Sequence, residues 1–327
     1  MYLLFFPIFL IEIILFKFLK KKNSEKSYQF FLKLYANFGE LINKFLSKIL
    51  SKKGMFTIVR NQIIEEKINS EEVIKKIFTD GYYFINNAIK HEKINEIIKF
   101  TNTLKGKYVS ENYKSKYSEI VDFNNIKATK FSYNTNDYIE NKTIQEIMLD
   151  EKILEISSNY LNCVPVIDNI QLYWSFSANK ADKEAAQYWH FDMDRPRWMK
   201  IFLYLTDCNE LNGPHKFIEK THLMSLGIKE DLRKKGYVRL EDQEIDQYYS
   251  AEQIKTFTAK KGSILFEDTS GLHKGQNVAQ GSRLILIFQY SSSLFGSHSP
   301  KIKMPNNVSK IFLDNFNKNK KMFDNFY

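Results

Sequence analysis

The segment Tyr188-Trp189-His190-Phe191-Asp192 sets an imidazole and a carboxylate two residues apart. In an extended strand side chains alternate between faces, so His190 and Asp192 point to one side and Phe191 to the other. One short stretch thus supplies two ligands of a three-ligand metal site, and the fold must deliver the third. Leu272-His273-Lys274, 83 positions beyond His190, can do so if its strand folds back beside the first. Two histidines and one carboxylate on one side of a metal leave the other side open, an arrangement suited to divalent iron. A bare His-x-Asp is weak, because six histidines in 327 residues yield such pairs by ordinary packing.

Context strengthens it. After Asp192 come the apolar strand Ile201-Phe-Leu-Tyr-Leu-Thr-Asp207, the turn Asn209-Glu-Leu-Asn-Gly-Pro-His215, and Lys216-Phe-Ile-Glu-Lys-Thr-His222. Lys261-Gly-Ser-Ile-Leu-Phe-Glu-Asp268 precedes His273, and Gly281-Ser-Arg-Leu-Ile-Leu-Ile-Phe288 follows it with an arginine entering an apolar run. Upstream, Asp80-Gly-Tyr-Tyr-Phe-Ile-Asn-Asn-Ala-Ile89 leads into a helix. In order and wording, residues 70 to 295 resemble the phytanoyl-CoA dioxygenase family of Fe(II)/2-oxoglutarate oxygenases, ectoine hydroxylase branch included.

That resemblance implies a double-stranded β-helix, the jelly-roll or cupin-like barrel, in an α+β chain with a mainly β core and flanking helices. It implies Fe(II), the cosubstrate 2-oxoglutarate and O2, with His190, Asp192 and His273 as metal ligands. Arg283, ten positions after His273, matches the arginine that holds the far carboxylate of 2-oxoglutarate, and a guanidinium fork suits a carboxylate. Gln171, on Asn169-Ile-Gln-Leu-Tyr-Trp174, matches an amide that contacts the cosubstrate. Relatives that halogenate lack the carboxylate ligand, so Asp192 favours hydroxylation. The chain departs from the family at Leu211-Asn-Gly-Pro-His215, at Glu219-Lys-Thr-His222 and at Lys274, to which no role is assigned.

Arg195 and Arg197, in Met193-Asp-Arg-Pro-Arg-Trp198, are candidate clamps for an anionic substrate, as against solvated loop arginines. His215 is a candidate substrate contact or a turn residue. His91 reads as solvated at a helix start, His222 as a structural hydrogen-bond partner and His298 as a surface residue. The substrate class left open is a small metabolite, a glycan precursor or a lipid-like molecule.

Met1 to Leu19 is nearly all Leu, Ile and Phe, followed by Lys20-Lys-Lys22. About 19 helical residues span roughly the hydrocarbon core of a bilayer, although Glu12 and Pro7 count against a span. Residues 1–22 read as an uncleaved anchor facing the cytoplasm, with an interfacial or core-packed helix as the alternatives. Ser27 to Leu50 reads as one amphipathic helix with Phe31, Leu34, Phe38, Leu41, Ile42, Phe45 and Ile49 on its apolar stripe. Of the net charge of +10, ten lysines and three glutamates place +7 in residues 1–53. A basic apolar arm suits an anionic membrane, so association through residues 1–50 is expected; nucleic acid would need a basic folded face.

Residues 23–69 are thus a basic helix and connector, 70–300 the oxygenase domain and 301–327 a basic tail packed as a fraying helix. Helices are expected near 91–104 and over 143–161, loops over the site mouth at 105–142, and a surface excursion at 233–250. Cys163 and Cys208 are too few for a zinc ribbon or CxxC site, and fit a reduced cytoplasmic setting. A metal-binding member without turnover, and a membrane-attached interaction protein on the same scaffold, are the competing readings.

Overall fold

The structure, a computed structural model, describes all residues except 1, 20, 65–67, 224–227 and 237, and only the backbone of 2–5. Helices α1 (Tyr2–Leu19), α2 (Glu25–Phe38) and α3 (Glu40–Leu50) form an N-terminal arm. The domain continues with α4 (Ser70–Asp80), β1 (Tyr82–Ile85), α5 (His91–Thr101), β2 (Gly106–Ser110), β3 (Tyr113–Lys114) and β4 (Lys130–Tyr133). Then follow α6 (Thr135–Tyr138), α7 (Lys142–Met148), α8 (Glu151–Leu161), β5 (Val166–Phe176), β6 (Trp198–Tyr204) and β7 (His215–Ile218). Short helices α9 (Glu230–Lys234) and α10 (Asp242–Ile245) precede β8 (Ile254–Phe257), β9 (Ile264–Glu267), β10 (His273–Gly275), β11 (Ser282–Ser291) and α11 (Lys310–Lys318).

Eight strands form one antiparallel sheet in the order β1-β9-β6-β11-β5-β4-β2-β3, and a second sheet runs β10-β7-β8. The central strands are buried on both faces, and their two alternating sets of side chains serve different cores. Leu284, Leu286 and Phe288 of β11, with Met199, Ile201 and Leu203 of β6, pack against α5, α7, α8 and the C-terminal segment. Ile285 and Ile287, with Phe202 and Tyr204, face the second sheet and meet Phe217 and Phe257 across it. Burying each such side chain contributes about 1.5–3 kcal/mol. The period-2 alternation places Gln171, Lys200 and Arg283 on this inner face.

Several elements differ from expectation. Residues 27–50 are two helices, because Gly39 adopts φ +55° and breaks the stripe. Phe31 and Leu34 are buried, whereas Phe38, Leu41 and Phe45 are exposed. Residues 143–161 likewise divide at Asp150, whose carboxylate caps α8 by accepting from Lys152 N and Ile153 N. The same carboxylate accepts from Ile63 N and Ile64 N, tying the connector down. Residues 105–142 contribute β2, β3 and β4 to the large sheet. The C-terminal segment belongs to the domain: Phe312 and Phe323 are buried, and Ile302 bridges to Phe326.

Among the described residues no helix is long and apolar enough to cross a membrane. One stripe of α1 (Phe9, Ile13, Phe16) packs on α2 and Phe295, and Glu12 accepts from Ser24 N at 2.6 Å and Ser24 Oγ at 2.7 Å. The segment 233–250 is not a surface excursion. Leu240 bridges to Trp189 and, with Ile245 and Tyr249, closes a small core over Trp189 and Phe191.

Arg195 is neither a substrate clamp nor a solvated loop residue. It is 1% exposed and grips Asp168 through Nε at 2.7 Å and Nη2 at 2.6 Å. Asp168 also accepts from Gln289 and Ser291, so the buried carboxylate is fully engaged and, despite burial, held below the usual carboxylate range by Arg195. Removing one member leaves the other charge buried and unpaired. Arg195→Met and Asp168→Asn are each expected to lower unfolding free energy by about 3–5 kcal/mol in urea titrations, with metal affinity of the folded protein unchanged.

Candidate metal centre

The segment 188–192 joins the edge of the small sheet through His190. His190 N donates to His273 O at 3.0 Å and His273 N to His190 O at 2.8 Å. Directly paired residues project to the same face, so the two imidazoles stand side by side, ring centres 4.2 Å apart. Asp192, two residues on, shares that face, and its N–H donates to Thr269 O at 2.8 Å. One donor atom each from His190, Asp192 and His273 lies within 4.8 Å of the others, and all three side chains are buried.

Second partners fix the tautomers. His190 Nδ1 lies 2.8 Å from Tyr188 O and His273 Nδ1 lies 2.9 Å from Gly271 O. Carbonyls only accept, so each Nδ1 carries the proton and each Nε2 keeps its lone pair for a metal. Burial, the main cause, lowers His273 to about 3 and His190 well below its ordinary value. Burial alone would raise the Asp192 carboxyl, but the Lys200 ammonium above all, then the His273 and His190 rings, hold it well below the carboxylate range. Lys200 Nζ lies 2.6 Å from Asp192 Oδ2. Two neutral imidazoles and one anionic carboxylate are the protonation states that ligation requires.

Beside these donors lies a cavity of about 70 Å³, lined by Gln171, Tyr173, Lys200, Phe202, His215 and Arg283 among others. Arg283 is buried; Nη1 donates to Gly213 O and Nη2 lies 3.5 Å from Ser175 Oγ, while Nε has no partner. A buried guanidinium with an unused N–H at a cavity wall fits a carboxylate. The fit to iron and a dicarboxylate therefore stands on the donor set and on this orphaned nitrogen.

His215 also reaches the cavity, but it is not free for a substrate. Its Nε2 lies 2.9 Å from Glu267, and its ring packs 4.7 Å from Phe202. Burial, then the nearby Asp192 charge, raises the Glu267 carboxyl well above its usual range, and burial lowers His215 to about 3. The pair is therefore a neutral acid hydrogen-bonded to a neutral imidazole. Arg197 faces elsewhere: its guanidinium lies over Phe78 and Tyr160, at 5.2 and 4.8 Å, in a separate cleft with Trp198 and Asp268. Lys274 acquires a role, 2.5 Å from Asp242 and over the Trp189 ring, tying the segment after Leu240 to β10. His222 Nε2 meets Phe78 O at 3.2 Å, as a structural residue would. His298 is exposed, its Nε2 2.9 Å from Asn23 O.

One residue beside the metal donors escaped the sequence reading. Lys200 carried a signal, a charge inside the apolar run Met199-Lys200-Ile201, of the same kind that marked Arg283.

The model of the phytanoyl-CoA dioxygenase (PhyH) family matches residues 78–285. No curated protein matches the sequence. Among solved structures, the epimerase SnoN in complex with Fe3+, alpha ketoglutarate and nogalamycin RO is 12% identical, with a TM-score of 0.47 over 68% of this chain and 83% of its own. HygX from Streptomyces hygroscopicus, with nickel, 2-oxoglutarate and hygromycin B bound, is 11% identical, with a TM-score of 0.45 over 71% and 90%. EctD from S. alaskensis, with 2-oxoglutarate and 5-hydroxyectoine, is 13% identical, with a TM-score of 0.45 over 74% and 82%. These likenesses are distant, and the functional reading rests on the family match and the donor geometry.

Equilibrium dialysis against Mn(II) or Co(II) is expected to give one metal per chain, with stoichiometric binding lost in His190→Ala and Asp192→Ala. Lys200→Met, which removes the partner of a ligand, is expected to weaken affinity by about 10–100-fold.

Proposed function

Since the chain belongs to the phytanoyl-CoA dioxygenase family, we propose that it is a non-haem Fe(II)- and 2-oxoglutarate-dependent oxygenase that hydroxylates a small molecule. The observation that carries this reading is the convergence of His190, Asp192 and His273 beside a cavity walled by Arg283. In this reading the two sheets form the double-stranded β-helix that the sequence resemblance implied. Bound Fe(II) with 2-oxoglutarate and O2 would supply oxidation of a substrate C–H bond, with 2-oxoglutarate leaving as succinate and carbon dioxide.

The protein's own side chains do the rest. His190, Asp192 and His273 would hold the metal by three positions on one side and leave the cavity side for exchangeable ligands. Arg283 would hold the far carboxylate of 2-oxoglutarate through its unused Nε–H, and Gln171 and Lys200 would flank the same molecule. Lys200 keeps one oxygen of Asp192 occupied, which favours ligation through the other. Tyr173, Phe202 and Ile285 would exclude water, strengthening each electrostatic contact. The presence of Asp192 supports hydroxylation over halogenation.

Anaerobic addition of Fe(II) and 2-oxoglutarate is expected to produce a visible metal-to-ligand charge-transfer band. The band should vanish in His273→Ala, and Arg283→Ala should need at least about tenfold more 2-oxoglutarate to develop it, the scale of a lost charge-assisted bond. A silent metal-binding member would show metal uptake without succinate release under O2. An interaction protein on this scaffold would keep its function in His190→Ala.

The N-terminal arm supports a location at the cytoplasmic face of a membrane, lying in the interface. Beyond its docked stripe, α1 leaves Ile14, Phe18 and Leu19 exposed by 55, 71 and 70%, and Lys17, Lys21 and Lys22 are exposed beside them. On α3, Leu41, Lys44, Phe45 and Lys48 make a mixed apolar and basic exposed face. Such faces bind anionic lipid surfaces without spanning them. Co-sedimentation with phosphatidylserine-containing vesicles is expected to fall at least about tenfold in Ile14→Glu/Phe18→Glu and to weaken with salt. Equal binding of this variant and the wild type would contradict the location.

A further inference from the structure

The metal-bearing segment has a second neighbour, on the edge away from His273. Trp189 N donates to Leu240 O, and Leu240 N to Trp189 O, both at 2.9 Å. Trp189 and Leu240 therefore share one face, and both are buried in the same apolar cluster. The next pair along this antiparallel register is His190 with Arg239, which falls on the opposite face, the one that carries the metal donors. Opposed residues in such a pair lie about 5 Å apart at Cα, so the Arg239 side chain starts next to His190 on that face, on the side away from β10.

Arg239 Nη1 is closed off from solvent and has no hydrogen-bond partner. Other arginines of the chain show what a purely structural guanidinium does here. Arg195 takes Asp168 bidentately, and Arg233 donates through Nε to Ala36 O at 3.0 Å. Among the described residues, the two arginines that retain a buried, unused N–H are Arg239 and Arg283. They sit on different elements, Arg283 on β11 of the large sheet and Arg239 beyond the far edge of the small one. One dicarboxylate spoken for by Arg283 leaves Arg239 to another molecule. A buried guanidinium N–H without an acceptor costs about 1–3 kcal/mol or more, which an arriving oxyanion would recover.

We propose that Arg239 binds an oxyanion, a carboxylate or a phosphate, carried by the molecule that is oxidised, so that the substrate class is anionic. This rests on the oxygenase reading for the word substrate, while the anion site itself stands on Arg239 alone. Trp189, Leu240 and the Lys274–Asp242 pair hold the arginine in place, which makes the 238–242 segment the specificity element of the site.

The test is an NMR titration of inorganic phosphate (31P) and of acetate (13C) against the full chain saturated with 2-oxoglutarate, with and without Mn(II). Saturating 2-oxoglutarate keeps Arg283 engaged. The wild type is expected to bind one of the two anions saturably, with relaxation of the bound anion enhanced when Mn(II) is present. Arg239→Met is expected to weaken that binding at least about tenfold, and Arg239→Lys to restore part of it, since lysine keeps the charge without the fork. Phosphate preference assigns a phosphoryl group, acetate preference a carboxylate. Saturable binding of neither anion, or equal binding by Arg239→Met, overturns the proposal. Absence of bound Mn(II) by EPR would count against the oxygenase reading, and the metal-free titration would still decide the anion site.

Discussion

The pair of backbone hydrogen bonds between His190 and His273 is the contact on which the site depends. It joins residues 83 positions apart, and by strand geometry it orients two imidazoles together while the residue two further on supplies the carboxylate. Loop closure over that distance has to be met by the rest of the fold. The β11–β5 and β11–β6 ladders, continuous over most of their length, provide it by fixing the large sheet against which the small one closes.

Much of the charge inside this core is arranged in closed pairs. Asp192 is matched by Lys200, Asp168 by Arg195, and His215 meets Glu267 as neutral partners. Each pairing avoids the penalty of an isolated buried ion. Arg239 and Arg283 each keep a buried N–H without a partner, and Arg283 does so at the wall of the cavity beside the metal donors.

The metal donors were legible in the sequence because a strand's period of two makes His-x-Asp a geometric statement, and Arg283 because an arginine in an apolar strand requires an anion. Lys200 obeyed the same rule and could have been read the same way. Arg195 and Arg197 were misread because proximity in sequence to Asp192 does not give orientation: Arg195 turns inward to Asp168, on β5, and Arg197 stacks on Phe78 and Tyr160. The helix break at Gly39 was written in a glycine that the hydrophobic stripe overrode. Nothing local in residues 233–250 announced that Leu240 would pair with Trp189, since that register is set by tertiary packing of Ile245 and Tyr249 rather than by pattern.

The arm and the domain answer to different physics. Residues 9, 13 and 16 give α1 a packed stripe, and the remaining apolar side chains stay outside the core. The site, in contrast, is enclosed and depends on the arm only through contacts such as that of Tyr35 with Phe191.

The most direct test of the central claim is X-ray absorption spectroscopy of the Fe(II)-loaded protein, where imidazole rings give a distinctive multiple-scattering pattern. Two coordinated imidazoles are predicted, falling to one in His273→Ala. A single imidazole in the wild type, or two that persist in His273→Ala, would contradict the pairing of His190 with His273 as the frame of the site.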